Sequence, residues 1–233
     1  MQTSSYLSRR SELETYFDKT AAQAWERLTS DAPVSGIRAT VRAGRDAMRE
    51  TLAGWLAEDL SGRRILDAGC GTGQFAILAA ARGADVVAID LAESLVEVAQ
   101  SRAAAEHFSG TIEFVAGDMF DPSLGQFDHV VAMDSLIHYA PADMARLIAG
   151  FASRTNRSVL FTHAPRTPAL TLMHVAGKLF PRSDRSPAIC PVSDTQLKRH
   201  LDLEPSLSRW GIGAGRRIQS SFYHSQAVEL VPT

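Results

Sequence analysis

The chain has 233 residues, 45% of them hydrophobic, with a formal net charge of -2 and a pI near 6.4. That suits one α/β domain with appendages and a sizeable core, and it excludes a general attraction to nucleic acid, which needs a basic surface. No apolar run approaches the roughly 18 residues of a membrane span, and residues 1–10 lack the apolar core of a signal peptide. The two cysteines, Cys70 and Cys190, have neither paired nor metal-ligand spacing, so the expectation is a cytoplasmic protein without a protein-bound metal.

Taken in order, Ser11-Glu12-Leu13-Glu14 reads as a capping box. Leu13, Phe17, Ala21, Ala24 and Leu28 follow at helical spacing, with Tyr16 and Trp25 beside the stripe, so a first helix is predicted to about Leu28. Asp31 to Gly36 breaks it. A second helix from about Ile37 to Glu58 carries Ile37, Val41, Met48, Leu52 and Trp55 on one side. Beside that apolar face runs a stripe of Arg38, Arg42, Arg45 and Arg49. A solvated face is its simplest meaning; the alternative is that Arg42 or Arg45 grips an anionic substrate.

The organising stretch follows. Ile65 and Leu66 end a strand, Gly69, Gly71 and Gly73 permit a tight turn and close backbone approach, and the apolar run from Phe75 opens a helix whose N-terminal amides face a ligand. Asp67 would repel a pyrophosphate and attract a cationic head group. The run Gly71-Thr72-Gly73-Gln74-Phe75-Ala76 also fits the dinucleotide fingerprint, and Asp90, placed to grip a ribose, suits either ligand. Beyond it the signals alternate: helix 73–82, strand 85–89, helix 92–105, strands 111–116 and 127–133, helix 141–153, strand 157–163. A short helix is expected at Ser193 to His200, and the segments Leu203 to Trp210 and Ile218 to Leu230 read as a closing antiparallel pair.

The pattern Asp67-x-Gly69-x-Gly71-x-Gly73 resembles motif I of the class I S-adenosylmethionine (SAM) methyltransferases. The resemblance implies an α/β doubly wound, mostly parallel, seven-stranded sheet with N-terminal lid helices. It divides the chain into lid helices (1–60), a SAM-binding core (61–164), an insertion for substrate or membrane contact (165–192) and the closing helix and strands (193–233). It also implies a cofactor site of Asp67, Gly69, Cys70, Gly71, Gly73, Asp90, Leu91, Asp118 and Met119. Asp118 would take the adenine amino group and Asp134 the methionyl ammonium, a loop cap being the other reading of Asp134.

More narrowly, Tyr16-Phe17-Asp18, Arg42 to Trp55, Asp134 to Tyr139 and Arg216 to Gln226 together resemble the magnesium protoporphyrin IX methyltransferases of bacteriochlorophyll synthesis. Asp18 and the Ala-rich Ala21 to Ala24 depart from the plant and cyanobacterial branch, so an anoxygenic-bacterial version fits better. The resemblance implies methylation of one propionate of magnesium protoporphyrin IX, leaving S-adenosylhomocysteine, with Tyr16 and His138 near the transferred methyl. It also implies handover from the large subunit of magnesium chelatase. On pattern alone Tyr16 reads as a core aromatic and His138 as a polar loop residue. The apolar and basic segment Ala169 to Arg185 suggests peripheral contact with the photosynthetic membrane, or equally a helix packed on the sheet. Two rivals are a methyltransferase for a phenol or quinol, in which His138 would act as a base, and a noncatalytic carrier of SAM and porphyrin.

Overall fold

The computed structural model describes residues 3–18, 29, 36–166, 188–220 and 222–233. Its described elements are α1 (Ser4–Tyr16), α2 (Gly36–Gly54), β1 (Arg64–Ala68), α3 (Gln74–Ala81), β2 (Asp85–Asp90), α4 (Glu93–Ala103), β3 (Thr111–Ala116), β4 (Phe127–Ala132), α5 (Pro141–Ala152), β5 (Thr155–His163), α6 (Asp194–Asp202), β6 (Trp210–Ser220) and β7 (Tyr223–Pro232). The seven strands form one sheet in the order β3-β2-β1-β4-β5-β7-β6. β1 to β5 are parallel, whereas β7 runs antiparallel to β5 and β6 antiparallel to β7. This is the expected doubly wound architecture.

Side chains alternate across a strand, so neighbouring residues feed opposite cores. Leu66, Val130 and Phe161 face one layer, with α1 and α5; Ile65, Val131 and Leu160 face the other, with α2 and α3. On α2, Met48 and Leu52 are fully buried. Burial of this kind stabilises by about 1.5–3 kcal/mol per large side chain, enough to seat the helix on the sheet. At Gly44, α2 lies close against β7: an added Cβ would lie 2.5 Å from the Tyr223 ring.

The first helix differs from the expectation. It begins at Ser4, capped by Thr3, whose hydroxyl accepts from the Tyr6 amide, and Ser11 lies in its interior rather than at a cap. A tertiary anchor explains the earlier start: Thr3 and Ser5 donate to Asp143 at 2.8 and 2.6 Å, in the first turn of α5. Continuation of this helix through Ala21, Ala24 and Leu28 lies outside the described residues, as does the segment Ala169 to Arg185. The second helix closes at Gly54, short of Glu58. The segment Leu203 to Trp210 forms a turn of 3-10 helix at Pro205–Leu207, so the sixth strand starts only at Trp210. A proline lacks the amide a ladder requires, which suits a helical first turn instead.

The order places β1 between β2 and β4, so successive crossovers leave β1 on opposite sides. A crevice opens there at the carboxyl ends of the strands. Among the described residues no helix is long and apolar enough to cross a membrane.

Candidate active site

The turn after β1 forms the floor of that crevice. Gly69, Gly71 and Gly73 all have left-handed backbone, with φ of 82°, 53° and 76°. At Gly69 a Cβ would collide with Ser135, whereas at Gly71 a Cβ would meet nothing within 4 Å. Gly69 therefore packs against the β4 loop, while Gly71 faces open space. The amides of Gly69 and Cys70 both donate to the Ile89 carbonyl, and the Gly71 amide donates to Asp90 Oδ2 at 2.8 Å. Asp90 also accepts from the Ala92 amide at 3.0 Å, which fixes its carboxylate at the end of β2. Burial raises the Asp90 pKa, and these amides oppose the rise.

Asp67 is only 2% exposed, and its Oδ2 has no hydrogen-bond partner among the described residues. Burial, with the charge of Asp90 second, pushes its carboxyl up to about 7. The Ala76 amide opposes that rise, but a buried carboxylate oxygen left without a partner is costly, and a cationic ligand would relieve that cost.

Above the turn lies a cavity of about 340 Å³. Asp67, Gly69, Cys70, Gly71, Asp90, Leu91 and Met119 line it, together with Asp134 and His138. Leu13 of α1 and Phe17, which caps it, close one side, Arg45 and Arg49 of α2 another, and Phe222 to Ser225 a third. Gly73 is not in the wall; it caps α3 and packs on Ala99.

Asp118 is not in the wall either. Its carboxylate accepts from the Tyr6 hydroxyl at 2.6 Å, Arg10 at 2.7 Å and the Phe120 amide at 2.9 Å. Asp118, expected to meet adenine, joins α1 through a hydroxyl and a guanidinium of that helix. Arg154 fixes the loop beneath by donating to the carbonyls of Met119 and Asp121.

Asp134 sits just past β4 with φ of 54°, a strained backbone for a non-glycine residue. Arg45 pairs with it at 2.7 Å, the Tyr223 hydroxyl donates at 3.0 Å and the Thr162 hydroxyl at 3.1 Å. The carboxylate expected to take a cofactor ammonium thus already joins α2, β5 and β7. Arg45, expected as a propionate anchor, is engaged by that carboxylate, and Arg42 does not line the cavity.

His138 ends a 3-10 turn at Leu136–His138 and is 6% exposed. Its Nδ1 lies 3.4 Å from the Ala188 carbonyl, a long bond. Burial lowers its pKa, so the ring is neutral at pH 7. The Phe17 ring packs edge-on to it at 6.0 Å, and Tyr16 packs on Phe17 at 5.2 Å without entering the cavity wall.

Several site residues carried no local signal. Thr29 covers the glycine turn: its hydroxyl accepts from Thr72 at 2.8 Å and its carbonyl from Gln74 at 2.9 Å. Tyr223 and Ser225 lie in the segment that carried the narrower resemblance, which was the one available pointer to them. Among the described residues no cluster of His, Cys, Asp or Glu forms a metal site.

The family model for the magnesium-protoporphyrin IX methyltransferase C-terminus matches residues 132–232, and a general methyltransferase-domain model matches 65–157. The magnesium-protoporphyrin O-methyltransferase of Rhodobacter capsulatus is 45% identical over 98% of this chain and 99% of its own length. That of Synechocystis is 29% identical over 98% and 99%, respectively, so the Rhodobacter enzyme is the nearer of these two. The crystal structure of magnesium protoporphyrin IX methyltransferase from Synechocystis PCC 6803 with bound SAH superposes with a TM-score of 0.84. It is 26% identical and spans 96% of this chain and 100% of that one.

Proposed function

The chain belongs to the magnesium-protoporphyrin O-methyltransferase family and is a SAM-dependent O-methyltransferase, and we propose that it esterifies one propionate carboxylate of magnesium protoporphyrin IX. The observation that carries the cofactor reading is Asp67, a buried carboxylate with an unpartnered oxygen in the cavity wall beside an open glycine turn. A nucleotide phosphate would be repelled there, whereas a sulfonium and an ammonium fit.

When bound, SAM supplies a methyl group made electrophilic by positively charged sulfur. In the proposed site Asp67 balances that charge, Asp90 meets ribose hydroxyls, and Leu91 and Met119 give apolar walls to the base. A propionic acid titrates near about 4 to 5, so at neutral pH the nucleophile is already ionised and needs no general base. His138, neutral and able to release its long bond to Ala188, orients that carboxylate by donation rather than by proton removal. Tyr16, at the rim, would assist from α1. Leu13 and Phe17 keep water from a reaction in which anion and cation neutralise each other. Delivery of the poorly soluble porphyrin by the large subunit of magnesium chelatase, at a membrane surface, completes the proposal.

Incubation with methyl-labelled SAM and a panel of porphyrins, phenols and quinols tests it. Mass spectrometry should show magnesium protoporphyrin IX monomethyl ester. Labelling of the phenols alone, or binding of SAM and porphyrin without turnover, would replace this reading with one of its rivals.

A further inference from the structure

The cavity wall divides by strand order. Asp67, Asp90 and Gly117 belong to the ends of β1, β2 and β3, the half given to the cofactor. His138 follows β4, Ala164 follows β5 and Phe222 to Ser225 open β7, and these line the other half. Ile137, Ala164, Ile189, Pro191 and Phe222 make that second half largely apolar, Phe222 being 46% exposed. Such a surface suits the flat body of a macrocycle better than its acidic edge.

Within that half the protein itself leaves His224 unused. Side chains alternate along β7, and those on either side of His224 are committed. The Tyr223 and Ser225 hydroxyls donate to Asp134 at 3.0 and 3.4 Å, and Arg45 and Thr162 hold that carboxylate in turn. The strand is therefore clamped both before and after His224. The imidazole between these clamps lines the cavity and is part-exposed, and it makes no hydrogen bond or ion pair among the described residues. His163, on the neighbouring strand, differs: it is 1% exposed and pairs with Asp194. A ring nitrogen held in a cavity wall by a fixed strand, with no protein partner, is available to a ligand.

Its place matches the centre of the acceptor. β7 lies two strands from β4, with β5 between them, and neighbouring strands are about 4.8 Å apart, so the start of β7 stands on the order of 10 Å from the line of β4 that leads to His138. That reach is comparable to the span from a propionate carboxylate to the centre of its porphyrin.

We propose that the His224 imidazole is the axial ligand of the porphyrin's magnesium, seating the macrocycle on the β7 side of the cavity while one propionate meets the methyl donor. This rests on the methyl-transfer reading above and names the residue that reads the metal. Aqueous magnesium sheds water reluctantly, but in a porphyrin four ring nitrogens have already displaced most of it, leaving an axial water to exchange. The imidazole lone pair takes that position, the water leaves, and neither a proton nor an electron moves. One such bond fixes the centre of the ring and separates the metallated porphyrin from the metal-free one.

The test titrates the protein with magnesium protoporphyrin IX and with metal-free protoporphyrin IX, in the presence of SAH, following porphyrin fluorescence and the Soret band. Wild type should bind the magnesium form at least tenfold more tightly, with a Soret shift on binding. His224→Ala should weaken binding of the magnesium form at least tenfold and lose that shift, with affinity for metal-free porphyrin and for SAM within twofold of wild type. Added imidazole should restore the shift and part of the affinity in His224→Ala, because it fills the same axial position. Phe222→Ala, which removes a ring contact and no ligand, should weaken both porphyrins alike. A His224→Ala protein that keeps the wild-type preference for magnesium overturns the assignment. So does an equal loss for both porphyrins, which marks a packing defect. Absence of methyl transfer in a wild type that shows this binding would instead overturn the underlying reading.

Discussion

Arg45 and Asp134, 89 residues apart in sequence, meet at 2.7 Å with side chains only 18% and 7% exposed. The pair binds α2 to the loop after β4, where Ser135 packs on Gly69 and donates to the Ala68 carbonyl. A largely buried pair contributes modestly while intact, but losing one partner strands the other charge. The ion pair thus links α2 to the loop that packs on the glycine turn.

Arg45→Ala should destabilise the protein by about 3 kcal/mol in urea denaturation, the range for breaking a buried pair. SAM affinity should fall with it, because the loop against Gly69 loses its tether, and Arg45→Lys should recover only part. If stability and SAM affinity stay at wild type and only porphyrin KM rises, Arg45 serves the substrate instead.

Asp67 predicts a pH dependence. Unfolded, its carboxyl titrates near about 4; folded, at about 7. Between those values the native state holds a proton that the unfolded chain has released. The stabilising contribution is thus full below about pH 4 and is lost as pH rises to about 7, on the order of 1.4 kcal/mol per unit at most. A cationic cofactor favours the ionised form, so the stabilisation by SAM should grow across the same window. Thermal unfolding with and without SAM between about pH 5 and 8 measures this, and Asp67→Asn should remove the trend. An identical pH response in both proteins would separate Asp67 from the charge of the cofactor.

The glycines of the turn should separate two effects. Gly71→Val projects into open space, so calorimetry should show SAM binding weaker by at least tenfold, about 1.4 kcal/mol. The cost in stability should stay near that of a left-handed valine, about 1–3 kcal/mol. Gly69→Ala adds a collision with Ser135 to its own left-handed φ, so it should lose stability and SAM binding together. Asp90→Ala should weaken SAM at least tenfold.

His138→Ala and Tyr16→Phe should lower turnover more than SAM affinity, since both are assigned to the acceptor. The wild-type rate should show no ascending limb between about pH 6 and 7, because the propionate is ionised throughout and burial lowers the His138 pKa below its usual value. An ascending limb would identify His138 as a base and favour a phenolic acceptor.

The fold was legible because its signals are local. Strand and helix periodicities from Arg64 to His163 agree with the observed elements to within a residue or two at most ends, and the glycine turn joins β1 to α3 as its spacing requires. Where reading failed, a distant partner or a backbone rule intervened. Thr3 starts α1 early because Asp143, 140 residues away, holds it. The supposed strand at Leu203 to Trp210 contains Pro205, which takes a helical turn.

By itself the sequence determined the doubly wound sheet, the position of the cofactor turn, and the acidic residues at or near the ends of the first three strands, since all follow from short-range patterns and strand ends. Only the tertiary structure decided what those acids do. Asp67 is left with an unpartnered oxygen, Asp90 is fixed by the Gly71 and Ala92 amides, and Asp118 is drawn to Tyr6 and Arg10. The arginines divide in the same way, Arg45 to Asp134 and Arg10 to Asp118. A charge in sequence carries no partner with it. The partner is set by which surfaces the apolar stripes of α1 and α2 bury, and that packing brings together residues 89 to 140 positions apart.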